Sequence, residues 1–595
     1  MNFLSAISAF NASSSLDHAA GLFGMADFFW DSMIFQSGRW TDAMNKVRIG
    51  LPLIAALAVI WTWRSRKLGA PVPERIQRRF GVLFTAVAFF AYFDFFNPNT
   101  RYPEYYHRHE LFHYYLGSKY FAEIGYTRLY ECASIAEVEL GRGQSVRDRE
   151  IRDLRVNLIK PMADTYVLSR PEECKSHFTP QRWEQWKKDV DWIHKSAAGE
   201  YYENMVKDHG YNPPPVWTMD GKFFGSLGVA GDKFFKALAS IDVLFHIGIV
   251  LLIGWAFGWK VMMVATVFWG CNAPANFYWT GGAFMRQDWI FFLVASLCLA
   301  KKRMFALSGA ALTWSALLRV FPVILFAGPG IVILLQLIQK YRRVQAGGGG
   351  GLLRESKPKN LLEWLHPTHR RFIGGCVIAT GILVPASVVV AGPDAYVDFA
   401  KHINVHKHTP LTNHMGLETV LVHDWKGRMR FTRDDNMDDP FEGWKQGRLD
   451  RFHTMKPVFY GITLGIFLWT VWALRRTKAL WLAMPLGLGL VFCLTNLTCY
   501  YYSMYIIAAA LVMARPELAP VILLTSSASQ ILQIDYYWVD DKFTVQAWLF
   551  FLFSVLLLIA YSRPFSMERL RAWWNDQPEP RLKHAPSSSA SAAAE

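Results

Sequence analysis

The stretch Ala237–Phe257, ALASIDVLFHIGIVLLIGWAF, decides the class of fold. Apart from Asp242 and His246, one helical turn apart, it is almost wholly apolar. It also has the length of about 20 residues that a helix needs to cross a bilayer. A charge near the centre of such a helix costs about 3 kcal/mol on insertion scales, so Asp242 and His246 face protein or water. They form a structural pair or line a cavity.

The same rule, applied outward along the chain, gives about thirteen spans. They are 48–63, 80–96, 237–257, 261–279, 285–300, 304–319, 322–338, 371–390, 457–474, 479–496, 502–514, 517–533 and 545–561. Pro322, Pro385 and Pro485 fall within three of them and should kink or break the helices. The expected fold is therefore an all-α polytopic membrane protein. Composition agrees: of 595 residues, 52% are hydrophobic, 15% aromatic and only 19% charged, which excludes a disordered chain and argues against a wholly water-soluble enzyme. The mean hydropathy of +0.13 points the same way. No solenoid-type repeat and no inverted symmetry of the transporter kind is visible.

Lys and Arg cluster beside the spans at 64–79, 301–303, 340–371 and 475–478. Under alternate threading all four clusters fall on one face, which the positive-inside rule makes cytoplasmic, together with Arg563, Arg569 and Arg571. The expected setting is a bacterial-type inner membrane, with the N-terminus periplasmic and the C-terminus cytoplasmic. The net charge of +15, from 63 Lys+Arg against 48 Asp+Glu, is explained by anchoring beside anionic lipid and implies no nucleic-acid partner.

This threading divides the chain into a 1–47 N-terminal segment and a first pair of spans (48–96). A 97–236 periplasmic helical domain follows, then a 237–343 bundle, a 344–370 Gly/basic linker containing Gly347–Gly351, and a 371–390 span. A 391–456 periplasmic loop, a 457–561 bundle and a 562–595 tail complete it. The first segment lacks the basic start and clean apolar core of a signal peptide, and Ala20–Phe35 reads as an amphipathic stretch lying on the bilayer. The Ser/Ala-rich tail from Pro586 should be disordered.

Five of the seven cysteines lie in or beside spans and read as packing residues. Cys132 and Cys174 share the large outer segment. If paired, they close a loop worth roughly 4 kcal/mol in the chain-entropy model; two free buried thiols are the alternative. Thr179 followed by Pro180 reads as a cap and first-turn proline opening a helix through Trp183, Trp186, Val190 and Ile193, expected to end near Gly210.

The densest chemistry follows the second span: Asp94, Glu104, His107, His109, Glu110, His113, Tyr114, Tyr115 and Lys119. One reading takes His109-Glu110-Leu111-Phe112-His113 as a zinc-protease motif, with Glu131 as the third ligand to His109 and His113. Lys119 stands where the extended form of that motif wants His. The other reading takes Glu110 as a base at the outer mouth of a membrane site.

The run from Glu110 through Phe112, Tyr114, Tyr115, Gly117, Tyr120, Gly125, Leu129 and Tyr130 to Glu131 resembles the first outer-loop motif of GT-C fold membrane glycosyltransferases. It is most similar to the polyprenol-phosphate-mannose-dependent mannosyltransferases. A second block resembles the family in its order of Gly282, Gln287 and Asp288, then Lys301-Lys302-Arg303, Gly309 and Ala310, Arg319-Val320-Phe321-Pro322, and Arg342-Arg343. A third covers Asn413, Gly416, Leu417 and Glu418. The outer segment after Cys132 has no counterpart. The family usually has Asp where Glu110 stands and Lys where Arg319 stands.

The resemblance implies an inverting glycosyltransferase that moves a sugar from a polyprenyl-phosphate donor to a hydroxyl of a glycan, lipid or protein, with membrane lipid as a further partner. It implies Glu110 as catalytic base. Such a reaction needs a proton acceptor for the incoming hydroxyl, and cations or donors for charge developing on the departing phosphate. Arg319 and Arg286 are the candidate phosphate ligands, since arginine matches phosphate geometry. Gln287, Asp288, His113, Tyr114, Asn413 and His414 are candidate substrate contacts, and Tyr500–Tyr502 a candidate sugar platform. No nucleotide loop is needed; a divalent cation is compatible. A transporter, a structural subunit of a membrane complex, and the zinc protease are the competing classes.

Overall fold

The computed structural model describes residues 37–97, 104–197, 199–345, 358–407, 409–437 and 439–575. The Ala20–Phe35 stretch, the Gly347–Gly351 linker and the tail from Pro586 lie outside the described residues. The chain is built almost entirely of helices. Six among the described residues are long and apolar enough to cross a membrane: Trp40–Lys67, Asp232–Phe257, Phe321–Gln345, Pro367–Ala391, Glu442–Leu474 and Val539–Tyr561. This is the build of a multi-pass, all-α membrane protein.

Other expected spans are helical but shorter. Trp259–Cys271 has 13 residues, and Asp288–Lys301 and Phe305–Leu318 have 14 each. At about 1.5 Å per residue these reach only about 20 Å, short of the roughly 30 Å hydrocarbon core. Cys499–Met513 winds as a 3-10 helix of 15 residues, a form whose rise of about 2 Å per residue lengthens it toward 30 Å. Prolines act differently by position. Pro385 lies inside the Pro367–Ala391 helix, Pro322 opens a 3-10 turn at Phe321–Phe326, and Pro485 stands at the join of Leu480–Leu486 and Leu488–Leu494.

The segment between the first helices and Asp232 packs onto the bundle, where it is described, through one continuous apolar core rather than hanging free. Its helices include Arg108–Lys119, Leu129–Glu137, Pro180–Ser196 and Pro215–Gly225. Cys132 and Cys174 are disulfide-bonded, with Cα atoms 5.7 Å apart across 42 residues of sequence. Thr179 caps its helix by accepting a hydrogen bond from the Arg182 N–H at 3.3 Å, with Pro180 in the first turn. That helix ends at Ser196 rather than near Gly210, because Ala197 is extended, and a separate turn starts at Gly199. Lys119 is committed to this scaffold: its ammonium lies 2.8 Å from the buried Asp189 carboxylate, which also accepts from the Tyr120 and Tyr115 hydroxyls.

The second outer segment reaches the bundle through a short strand. His414–Met415 pairs antiparallel with Leu497–Thr498, and the Cys499 N–H donates to the Asn413 carbonyl at 2.9 Å. This pairing sets the segment against the start of the 3-10 helix that carries Tyr500 and Tyr501.

Candidate functional site

The site is built on a loop, residues 281–287, fixed from three sides. Asp242, inside the long Asp232–Phe257 helix, accepts from the backbone N–H of Arg286 at 3.0 Å and of Gln287 at 3.1 Å. Trp217 donates its indole N–H to the Met285 carbonyl at 2.9 Å, and the His107 N–H donates to the Gly282 carbonyl at 2.8 Å. Gly282 has φ +70°, and a Cβ there would sit 2.0 Å from the Tyr105 carbonyl oxygen, so only glycine permits this approach. The intramembrane carboxylate of Asp242 thus serves backbone satisfaction, not a pair with His246, whose ring packs among Tyr92, Phe93 and Trp269.

The loop delivers Arg286 to Glu110. Arg286 Nε lies 3.0 Å from Glu110 Oε2, and the guanidinium also donates to the Tyr114 hydroxyl, one turn along the same helix. It stacks over the rings of Tyr114 at 4.5 Å and Tyr500 at 5.2 Å. The Arg286 side chain is 5% exposed and that of Glu110 14%, so the carboxylate keeps a face that an incoming molecule can reach. Burial pushes the Glu110 carboxyl above its ordinary value, against the opposite pull of Arg286, His113 and Arg319. A buried carboxylate held this way is more basic than one in water.

Arg319 stands close enough to act electrostatically on both Glu110 and Asp288. One of its amino groups donates to the Leu318 carbonyl at 2.6 Å, and its guanidinium lies 5.6 Å from the Trp217 ring. Among the described residues its buried Nη2 meets no acceptor and the buried Asp288 Oδ2 no donor, while Oδ1 takes the Trp289 N–H at 2.7 Å. Such atoms are costly to bury unpaired and mark a place where a polar molecule fits. Gln287 donates to Thr280 Oγ1 at 2.9 Å, a positioning contact within the loop region.

Two expected substrate residues belong to the strand pairing that leads to Tyr500. The His414 ring receives the Leu411 N–H at 3.3 Å and is influenced by Arg448 and His209, and Asn413 contributes a backbone carbonyl to the strand pairing. Of the aromatic run, Tyr500 joins the Arg286 cluster and Tyr501 packs on Trp289 and Phe321, whereas Tyr502 is buried against Phe550. Asp94 pairs with Arg48 of the first long helix at 2.5 Å.

The metal-binding alternative needs a different third ligand from the one the sequence suggests. Glu131 is engaged by the Arg155 guanidinium and the Tyr166 hydroxyl. Asp208 takes the place beside the histidines: His109 Nε2 is 3.6 Å from Asp208 Oδ2, and the ligand atoms of His109, His113 and Asp208 lie within 4.8 Å of one another. The neighbouring imidazoles hold the Asp208 carboxyl well below its ordinary range, and burial lowers His113 to about 4, keeping its ring neutral as a ligand requires. The His113 ring is already bonded on both sides, to the His109 carbonyl at 2.7 Å and to the Tyr130 hydroxyl at 2.7 Å.

Residues not foreseen are Asp208, Trp217 and Asp220. Asp220 lies half-buried in the Pro215–Gly225 helix, accepts from the Trp314 indole N–H at 3.4 Å, and is raised to about 7 by burial and then by Asp288. Nothing in its immediate sequence signals this, because its partners are 68 and 94 residues away along the chain. Comparisons with protein-family models, curated proteins and solved structures return no match to this chain.

Proposed function

We propose that the chain is an inverting, lipid-phosphate-sugar-dependent glycosyltransferase of GT-C type, with Glu110 as base and Arg286 and Arg319 as the phosphate-binding pair. The observation that carries this reading is the Glu110–Arg286 contact beside a second, incompletely satisfied guanidinium.

The reaction follows from those groups. A donor phosphate draws Arg286 away from Glu110 and fills the open Nη2 of Arg319, spreading its charge over two forks. Glu110, losing its cation, becomes a stronger proton acceptor for the acceptor hydroxyl. The hydroxyl oxygen attacks the anomeric carbon, its proton goes to Glu110, and the carbon–oxygen bond to the lipid phosphate breaks with its electron pair on the phosphate. One displacement inverts the anomeric centre. Tyr114 and Tyr500 present ring faces beside Arg286 on which a sugar can rest.

The test is transfer from a polyprenyl-phosphate sugar by the purified full chain in lipid. The expected result is turnover lost in Glu110→Gln and in Arg319→Gln; full turnover in Glu110→Gln overturns the assignment of the base.

The His109, His113 and Asp208 cluster favours one further reading, metal-assisted hydrolysis. Stoichiometric zinc in the purified chain, absent in His109→Ala and in Asp208→Asn, together with peptide cleavage and no sugar transfer, would select it.

A further inference from the structure

Three basic stretches that are far apart in sequence meet around one cavity of about 720 Å³. They are the turn after the Asp288–Lys301 helix, the end of the Ala327–Gln345 helix with residues 363–370, and the entry to the Leu480–Leu486 helix. Lys301, Arg303, Lys340, Arg343, Arg370 and Lys478 line it, against a single carboxylate among the described residues, that of Glu363. That carboxylate is turned to its own capping turn, where it accepts from the Lys359 N–H at 2.7 Å and from Asn360 at 3.2 Å. The side-chain nitrogen of Gln336, also in the wall, is buried and meets no acceptor among the described residues.

The backbone at Arg303 adds an argument that charge bias alone does not supply. The helix ends with the Met304 N–H donating to the Leu299 carbonyl at 2.9 Å and the Arg303 N–H to Ala300 at 3.2 Å, the pattern of a Schellman cap. Arg303 occupies its left-handed position at φ +64°. Glycine is the residue that position favours; a side chain there is strained. A cation kept in a strained position, facing other cations across a cavity, fits an anionic occupant. The N-terminus of the Pro367–Ala391 helix also opens here through Pro367 to Arg370, and the positive end of its dipole favours an anion. Phe305, Leu337, Trp364, Leu480 and Trp481 give the cavity an apolar and aromatic side, and Lys301 sits 4.5 Å from the Trp481 ring centroid.

We propose that this cavity binds the phosphodiester headgroup of an anionic membrane lipid, whose acyl chains follow the apolar walls along the bundle. The phosphate bridges the turn at Arg303, the end of the helix at Arg343, and Lys478, and so locks these three segments together. This site lies apart from Glu110 and shares no residue with the proposed transfer reaction.

The test is the thermal midpoint of the full chain in detergent micelles doped with phosphatidylglycerol, with phosphatidylcholine, or with inorganic phosphate alone. Phosphatidylglycerol is expected to raise the midpoint, and the other two to leave it unchanged. Arg303→Gly suits the backbone better and removes the cation, so it is expected to keep or raise the lipid-free midpoint while losing at least half of the lipid-induced shift. Arg343→Gln combined with Lys478→Gln should abolish the shift. The exposed cluster Arg75, Arg78 and Arg79 does not line the cavity, so neutralising all three to Gln should preserve it. Equal shifts from phosphatidylcholine overturn the anion requirement, and equal shifts from free phosphate overturn the lipid. Loss of the shift in the Arg75, Arg78 and Arg79 variant, or its full retention in Arg303→Gly and in the Arg343/Lys478 variant, overturns the cavity as the site.

Discussion

Arg286 Nε and Glu110 Oε2 stand 3.0 Å apart, joining the loop after the Trp259–Cys271 helix to the first turn of the Arg108–Lys119 helix. Because both side chains are largely withdrawn from water, each depends on the other for compensation. Glu110→Gln should therefore reduce sugar transfer by about 10²- to 10⁴-fold, the usual worth of a general base, while the chain stays folded. Rates with Glu110→Gln and Glu110→Asp, measured beside their thermal midpoints, check this.

Breaking the pair from the other side leaves an uncompensated carboxylate. Arg286→Gln should lower stability by about 3 kcal/mol, and the double substitution Glu110→Gln with Arg286→Gln should recover part of that loss. A double-mutant cycle of thermal midpoints reads the coupling directly; strictly additive effects would contradict the ion pair.

Asp220 gives a pH dependence of defined sign. Its carboxyl is raised to about 7 in the fold, against about 4 when unfolded. Between these values the folded chain keeps a proton that the unfolded chain has lost, so this group's contribution to stability falls as pH rises through the window and is flat above it. Asp220→Asn should remove that part of the slope. Thermal midpoints from about pH 4 to about pH 8, compared with the parent chain, test the assignment.

Gly282→Ala meets two obstacles at once, a left-handed backbone and a carbonyl oxygen 2.0 Å from the new Cβ. The expected cost is about 3 kcal/mol, at the upper end of ordinary substitutions, and the displaced loop should carry Arg286 away from Glu110. Transfer and stability should therefore fall together.

The Cys132–Cys174 bond ties the Leu129–Glu137 helix to the turn before Pro180. Replacing both cysteines with serine should destabilise the outer segment by about 2–5 kcal/mol, seen as earlier proteolysis of residues 104–231 with the membrane helices intact. Unchanged proteolysis would show that the apolar core alone holds the segment.

Apolar run length, a local property, was enough to place the helices and the all-α membrane class, because a chain in lipid must satisfy its backbone within each segment. Thr179 and Pro180 likewise announced a helix start, although not the stop at Ser196. Run length could not say which segments reach across a membrane. Trp259–Cys271 and Phe305–Leu318 read as spans, but the structure makes them short helices.

For the site, the sequence by itself put Glu110, His113, Tyr114 and Tyr115 in one short stretch and Arg286 and Arg319 at the ends of apolar runs. Tertiary structure alone decided that Arg286 meets Glu110, that Asp208 and not Glu131 stands beside His109 and His113, that the His414–Met415 strand pairs with Leu497–Thr498, and that Asp242 holds a loop. Each of those outcomes depends on which distant backbone is brought within hydrogen-bond reach. Pairing between groups so far apart along the chain is set by how helices pack and where a glycine lets two strands of backbone touch. No local pattern of residue types encodes that distance.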